Sequence, residues 1–474
     1  MAALPQAFID HIQQQQNFSA TEMEQFCQLS AQPLRKSVRF NRNKISLAEF
    51  HQLAQQLAWT LEPIPWCNEG FWISPKDPQM EHTLGNHVEH LQGLFYIQES
   101  SSMLPVKVIE HFAPEAQILL DMAAAPGSKT TQLAGHFIAP AAIVANELSS
   151  SRIKGLHANI QRCGIDNVIL THQDGRILGE QLNATFDAIL LDAPCGGEGT
   201  VRKDPDAMKN WSTQALHTIS EVQKALIESA YLALKPGGLL VYSTCTLSFE
   251  ENQFVCQHLL ERHQDMSAID LKQCFADASR CITPEGFLHV FPHIYNSEGF
   301  FVAAFRKAGE MKVTPPLEAP KKWPYRRASQ KLCQQLKPVF QHLGFESSNF
   351  FDNLWSRDDT LWYFPAVTTT IASQIKIQRS GIKVAEIHRS GIRLAHDFII
   401  AFATDFSQPK LELSAELARD YLRGVDLRVP DAIPENYERV AFYRGQPLGL
   451  VKSLKGKLKN RLPRPLVRDN PIFK

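Results

Sequence analysis

Six short apolar runs, at 117–122, 142–146, 167–170, 186–192, 238–243 and 299–305, alternate with stretches of helical character. They constrain this 474-residue chain more than any other feature. Each run is nearly continuous in Ile, Leu, Val, Ala and Phe instead of alternating with polar residues. That is the pattern of strands buried on both faces, so it predicts a mostly parallel α/β sheet covered by helices. Sheets of this kind take ligands outside the carboxyl ends of their strands. The chemistry is therefore expected just after each run.

The bulk numbers narrow the class of protein. The length suits two to four domains with ordinary cores. With 44% hydrophobic and 21% charged residues, the chain is expected to be folded and globular. The 49 basic and 49 acidic side chains cancel, so a nucleic-acid partner has to be sought in the local distribution of charge. The first residues carry no basic start followed by an apolar stretch, and no run approaches the ~18 apolar residues of a membrane span. A cytoplasmic protein without membrane contact is expected. The nine cysteines are scattered and form no C-x-x-C pair, which argues against a zinc site and, without an export signal, against disulfides.

The first run leads into Ala123, Ala124, Ala125, Pro126, Gly127, Ser128 and Lys129. Small residues and one glycine let a ligand approach the backbone at the mouth of a helix. The loop is neither G-x-x-x-x-G-K-[ST] nor G-x-G-x-x-G, so a nucleotide triphosphate or dinucleotide is not indicated. Glu147 follows the second run, where a carboxylate can hold both ribose hydroxyls. Asp174 follows the third and can accept from an adenine amino group. A nucleoside site without a phosphate-binding pattern suits S-adenosyl-L-methionine, whose charge is a sulfonium.

Two thiols complete the pattern: Cys195 in Asp192-Ala193-Pro194-Cys195 and Cys245 in Ser243-Thr244-Cys245-Thr246. Each lies just beyond a run, downstream of the cofactor loop and near an acid, which suggests covalent chemistry on an electron-poor ring. The spacing of Ser248 and Glu251 predicts a capping box that opens a helix. A thiol close to that helix start would have a lowered pKa.

Past the sheet, the Pro-rich stretch 314–320 reads as a linker. A smaller unit begins at Lys321-Lys322-Trp323-Pro324-Tyr325-Arg326-Arg327. The self-similar stretches 379–385 and 389–395 suggest two equivalent strands or turns, and the last ~80 residues an α+β module.

These motifs resemble a known family. Asp192-Ala193-Pro194-Cys195-Gly196-Gly197-Glu198-Gly199-Thr200 and Ser243-Thr244-Cys245-Thr246-Leu247 resemble the two cysteine motifs of RNA cytosine-5 methyltransferases. The 123–130 loop resembles their cofactor motif, with Ala123 and Ser128 where the family often has cysteine and glycine. Residues 93–103 resemble the segment before their first strand. The remainder is similar to the bacterial small-subunit rRNA methyltransferases of the F type. The resemblance implies a Rossmann-like, S-adenosyl-L-methionine-dependent methyltransferase sheet with an N-terminal extension and a C-terminal α+β PUA-like domain. It implies Cys245 as nucleophile and Cys195 as the thiol assisting proton removal and release. Asp192 would bind the N3/N4 edge of the cytosine, and Lys129 would steady Asp192 or the base; the cofactor would be held by 123–129, Glu147, Asp174 and Asp192. In DNA cytosine-5 methyltransferases the Pro-Cys thiol attacks instead, so the division of roles rests on the family. A zinc deaminase is excluded because Pro194-Cys195 is not followed by P-C-x-x-C spacing.

The expected division is an N-terminal RNA-binding extension over 1–92, a catalytic domain over 93–308, a linker and middle domain over 309–394, and a PUA-like RNA-binding domain over 395–474. Acid-free basic stretches supply candidate phosphate contacts: Arg35, Lys36 and Arg39, then Lys452, Lys455, Lys457, Lys459 and Arg461. Aromatics are few in that tail, which favours shape recognition over base stacking there. The expected partner is 16S rRNA within the 30S subunit, approached by a monomer. A tRNA-directed enzyme of the same chemistry, and a non-catalytic ribosome-assembly factor, are the competing readings.

Overall fold

The computed structural model describes residues 4–468 apart from 77–82, 139–140, 205, 312–322, 347–349, 390, 408–409, 429–437 and 455. The linker at 314–320, Lys321, Lys322, Ser390 and Lys455 therefore lie outside the described residues.

The apolar runs form the centre of a nine-stranded sheet. Its strands in chain order are β1 (Ile118–Asp121), β2 (Ala142–Asn146), β3 (Val168–Thr171), β4 (Phe186–Asp192), β5 (Leu234–Thr244), β6 (Met266–Ala268), β7 (Leu288–Val290), β8 (Phe300–Lys307) and β9 (Ile377–Ser380). Their spatial order is β6-β8-β5-β4-β1-β2-β3-β9, with β7 also paired to β8. Strands β1 to β5 are parallel, while β8 runs antiparallel beside β5 and β9 antiparallel beside β3. This is the Rossmann-like methyltransferase arrangement, in which β1 and β4 are central and every crossover carries a helix.

Strand residues alternate between two cores. Leu119, Ile143, Val168, Leu190 and Val241 face one cluster, and Leu120, Val144, Ile169, Leu191 and Tyr242 face the other. The first is covered by helices Leu104–Phe112, Ser128–His136 and Arg152–Cys163, and the second by Thr213–Ala233 and Gln253–Arg262. Both faces being buried explains the unbroken apolar runs.

Three smaller sheets flank this centre. Ser37–Phe40, Trp59–Ile64, Cys67–Pro75 and Phe95–Ile97 form an antiparallel sheet near the N-terminus. Arg326–Arg327, Leu354–Arg357, Thr360–Tyr363, Ile382–His388 and Gly391–Leu394 form a five-stranded antiparallel sheet. Lys410–Glu412, Glu438–Tyr443, Gln446–Leu454 and Lys457–Asn460 form the last. The core of the five-stranded unit takes in Phe398, Ile399, Ala403 and Phe406 from beyond residue 395, together with Val440, Phe442 and Leu450.

The last sheet is pinned to the N-terminal half. The buried Gln92 side chain donates to the carbonyls of Tyr443 and Gln446, each at 3.0 Å. Arg444 reaches the buried Glu89 carboxylate at 2.9 Å. Among the described residues no helix is long and apolar enough to cross a membrane.

Candidate active site

The sequence-predicted residues converge at the carboxyl ends of β1, β2, β3, β4 and β5, around an open cleft of about 1440 Å³. Asp192 is the last residue of β4 and lies beside Ser243 of β5 in register. Its Oδ1 accepts from the Ser243 hydroxyl at 2.8 Å, and its Oδ2 from Lys129 Nζ at 2.8 Å. Lys129 enters from the first turn of helix Ser128–His136, largely buried, with Nζ 5.3 Å from the centre of the Phe300 ring. The carboxylate is thus locked from both sides by a cation and a hydroxyl.

Cys245 follows β5 directly, and Cys195 lies three residues beyond β4. Their sulfurs are 3.1 Å apart, and both thiols are free and partly accessible. Burial and two carboxylates would oppose ionising either one alone. The two thiols are within hydrogen-bonding distance of each other. Hydrogen bonding from the Cys195 thiol, helped by the Lys129 ammonium, draws Cys245 below the usual thiol range against burial and Asp192. The same hydrogen bond, with burial, raises Cys195 well above that range. Of the two thiols, Cys245 is therefore the one drawn towards the thiolate.

The loops bearing these thiols are held by Glu198, which the sequence reading did not single out, and by Glu251, expected instead in a helix cap. Glu198 Oε2 accepts from the Thr246 hydroxyl at 2.7 Å and from the amides of Leu247 and Ser248 at 2.9 and 2.8 Å. Its Oε1 accepts from the Ser248 hydroxyl and Trp211 Nε1, both at 2.6 Å. Glu251 accepts from the Gly196 amide at 2.9 Å, Gln223 Nε2 at 2.8 Å and the Thr246 hydroxyl at 3.1 Å. Burial pushes the Glu251 carboxyl up to about 7. The only signal for Glu198 was an acid inside a glycine-rich stretch. Gly199 approaches Gly299 so closely that a Cβ on it would lie 2.2 Å from the Gly299 carbonyl. Its amide donates to the Cys245 carbonyl at 2.9 Å, which clamps the two thiol loops together.

The expected capping box is not made. Ser248 and Glu251 spend their side chains on Glu198 and on Gly196 and Gln223, so the helix starts later, at Gln253, with Asn252 as N-cap. The lowered pKa of Cys245 therefore comes from Cys195 and Lys129, not from a helix end.

The other wall of the cleft carries the nucleoside-type residues. Glu147, just past β2, is buried; it accepts from the Ala125 amide at 3.3 Å and the Ser149 amide at 2.8 Å. Asp174 is held below the usual carboxylate range by its hydrogen bonds with Arg176, the shortest 2.6 Å. Gly127 has φ 103°, and a Cβ there would meet Leu156 at 2.9 Å, so only glycine lets residues 123–127 run flat along the cleft. Asp121 at the end of β1 is buried and accepts from the Thr130 hydroxyl at 2.6 Å. Its other oxygen has no partner among the described residues, and burial pushes its carboxyl up to about 7. The cleft's two arginines, Arg152 and Arg176, already face Glu147 at 3.8 Å and Asp174 at 2.6 Å. Carboxylates without spare cations fit the ribose and base of a sulfonium nucleoside and do not fit a polyphosphate.

The basic residues expected to hold RNA are less uniform than their sequence suggests. Arg39 is a correction: it is buried and donates to Gln98 Oε1 at 2.9 Å and the Thr131 hydroxyl at 2.8 Å. It fastens the N-terminal sheet to helix Ser128–His136 and cannot reach a phosphate. Arg35 donates to the Tyr295 carbonyl at 3.0 Å and lies 3.9 Å over the Trp72 ring, while Lys36 is half-exposed. Lys457 pairs with Asp426 at 2.8 Å and Arg461 with Glu438 at 3.5 Å. Lys452 and Lys459 sit opposite each other on adjacent strands.

Four family models match the chain in succession. They are the N-terminal domain of 16S rRNA methyltransferase RsmF over 4–100 and 16S rRNA methyltransferase RsmB/F over 111–306. The pre-PUA domain of ribosomal RNA small subunit methyltransferase F follows over 325–402, and the methyltransferase RsmF PUA domain over 408–468. Ribosomal RNA small subunit methyltransferase F of Psychromonas ingrahamii is 48% identical, over 99% of this chain and 98% of its own. That of Escherichia coli O9:H4 is 46% identical over the same shares. Among solved structures, a methyltransferase homolog from Pyrococcus horikoshii is 31% identical with a TM-score of 0.52, covering 64% of this chain and all of its own. NSun6 of the same organism, 23% identical with a TM-score of 0.55 over 65% of this chain and 99% of its own, shares the fold. Matched from end to end in both directions by such relatives, the chain belongs to the ribosomal RNA small subunit methyltransferase F family, a group of 16S rRNA methyltransferases.

Proposed function

We propose that this protein methylates carbon 5 of a cytosine in 16S rRNA, through a transient bond between Cys245 Sγ and carbon 6 of the base. The observation that carries this reading is the pair of sulfurs 3.1 Å apart beside the Lys129–Asp192 pair. The names of its relatives support rRNA as substrate, and the 30S subunit is the natural setting for that RNA.

S-adenosyl-L-methionine, bound by the 123–129 backbone, Glu147, Asp174 and Asp192, supplies an electrophilic methyl group. The protein's task is to make an electron-poor ring nucleophilic. Addition of the Cys245 thiolate to carbon 6 breaks the aromaticity and turns carbon 5 into an enamine-like carbon. Asp192, fixed by Lys129 and Ser243, holds the N3/N4 edge and supports protonation of the ring. Once Cys245 is bonded to carbon, the Cys195 proton has lost its acceptor and passes to solvent. The resulting Cys195 thiolate takes the proton from methylated carbon 5, and the bond to Cys245 breaks. A base stacked in a helix cannot enter such a cleft, so the target has to be flipped out.

The test is methyl transfer to isolated 30S subunits, naked 16S rRNA and tRNA, with the modified base mapped. Methylated tRNA with unmodified rRNA would overturn the substrate; a methyl group on any atom but carbon 5 would overturn the chemistry.

A further inference from the structure

The basic and aromatic stretch at 321–327 has no part in the catalytic cleft. Its described residues border a separate groove of about 1070 Å³ on the five-stranded unit. Trp323 and Tyr325 pack at 5.0 Å between ring centres, and Tyr325 meets Phe364 edge-on at 4.8 Å. Phe364 is buried beneath, while Trp323 and Tyr325 stay half-exposed. A ring pair serving only as core would be covered as Phe364 is.

The rim is cationic. The Arg357 guanidinium lies 5.6 Å from the Tyr325 ring centre, and the exposed Lys376 also lines the groove. Arg357 has one acid neighbour, the exposed Asp358 at 3.6 Å, a contact of little strength in water. Lys376 makes no ion pair among the described residues. Lys376 also immediately precedes β9, whose Ile377 lies beside Thr171, the last residue of β3. The Lys376 end of the groove therefore lies at the same end of the sheet as the catalytic cleft, beyond the strand that leads to Asp174.

Half-exposed rings flanked by exposed cations suit single-stranded nucleic acid, because a base presents its π-face only when unpaired. We infer that this groove holds an unpaired stretch of the substrate RNA outside the catalytic cleft, one base against Trp323 and Tyr325 and its phosphates beside Arg357 and Lys376. The inference rests on RNA being the substrate, and its test does not depend on the carbon-5 chemistry.

The full-length protein is titrated with a labelled oligouridylate of about twelve nucleotides and with a duplex RNA of equal length. Ultraviolet cross-links to the single strand are mapped by mass spectrometry. The single strand is expected to bind more tightly than the duplex and to cross-link at Trp323 or Tyr325. Arg357→Glu combined with Lys376→Glu, both at exposed positions, should weaken it about ten-fold, and Tyr325→Leu by a similar factor. With 16S rRNA as substrate, both variants should raise KM and leave kcat unchanged. Cross-links confined to the catalytic cleft, or unchanged affinity in both variants, would overturn the assignment. Tight, groove-localised binding by a wild-type protein that transfers no methyl group would defeat the proposed chemistry and leave this groove standing.

Discussion

The two walls of the catalytic cleft use the same device, a polar residue at the carboxyl end of a buried parallel strand, but they prepare it differently. On the wall built from β4 and β5, the two sulfurs are set against each other and their loops are bolted down by buried Glu198 and Glu251. On the wall built from β2 and β3, Glu147 and Asp174 are satisfied by backbone amides and an exposed arginine. One wall binds its side chains tightly to one another. The other holds recognition groups whose partners a ligand can replace at modest cost. Bond making should therefore be lost by changes on the first wall, and ligand affinity by changes on the second.

The largest expected effect is that of Cys245→Ala. It should abolish methyl transfer, at least about 10⁴-fold, because it removes the thiol drawn towards the thiolate. Scintillation counting of rRNA methylated from a labelled donor checks this, and substantial residual activity would exchange the roles of the thiols. Cys195→Ala should slow turnover by about 10² to 10³ while trapping protein bonded to RNA on denaturing gels. Absence of such adducts would deprive Cys195 of its part in release.

On the opposite wall, Glu147→Gln should raise the donor KM about a hundred-fold with a much smaller change in kcat. A fall in kcat alone would erase the contrast between the walls. Glu198→Ala should cost about 3 kcal/mol of stability, since it strands the buried amides of Leu247 and Ser248. Thermal unfolding and the rate should fall together, because the same contacts hold the Cys245 loop. The smallest effect concerns pH. The thiolate is the reactive form, so kcat/KM rises with pH through the lowered pKa of Cys245. Lys129→Met removes a cation that favours the thiolate and should move that limb upward by about one unit.

Much of this was readable in the chain. The stretches 142–146 and 186–192 are strands with those bounds, since full burial leaves an unmistakable apolar run. The ends of the five parallel runs told where the cleft lies, but the 299–305 run is antiparallel and finishes at the opposite end of the sheet. The missing parts share a physical cause: a residue's partner, not its type, decided its place. Ser248 and Glu251 have the spacing of a cap, but stronger partners claimed them. Arg39 sits in a basic run, but a glutamine and a threonine drew it inside. Strand β9, Ile-Gln-Arg-Ser, is an edge strand with mixed polarity and carries no apolar signature. Glu198 reads as a loop acid until five donors are seen around it.

Strand β9 also bears on how the chain can be divided. It follows the whole of the methyltransferase stretch in sequence, yet it closes the rim beside β3 through the Ile377–Thr171 and Ser380–Ile169 pairings. A fragment ending near residue 308 would leave those backbone groups bare, a sticky ribbon inviting self-association. Excising the catalytic part as a free-standing module would therefore yield precipitate more readily than enzyme, and the two halves of this molecule are best regarded as one inheritance.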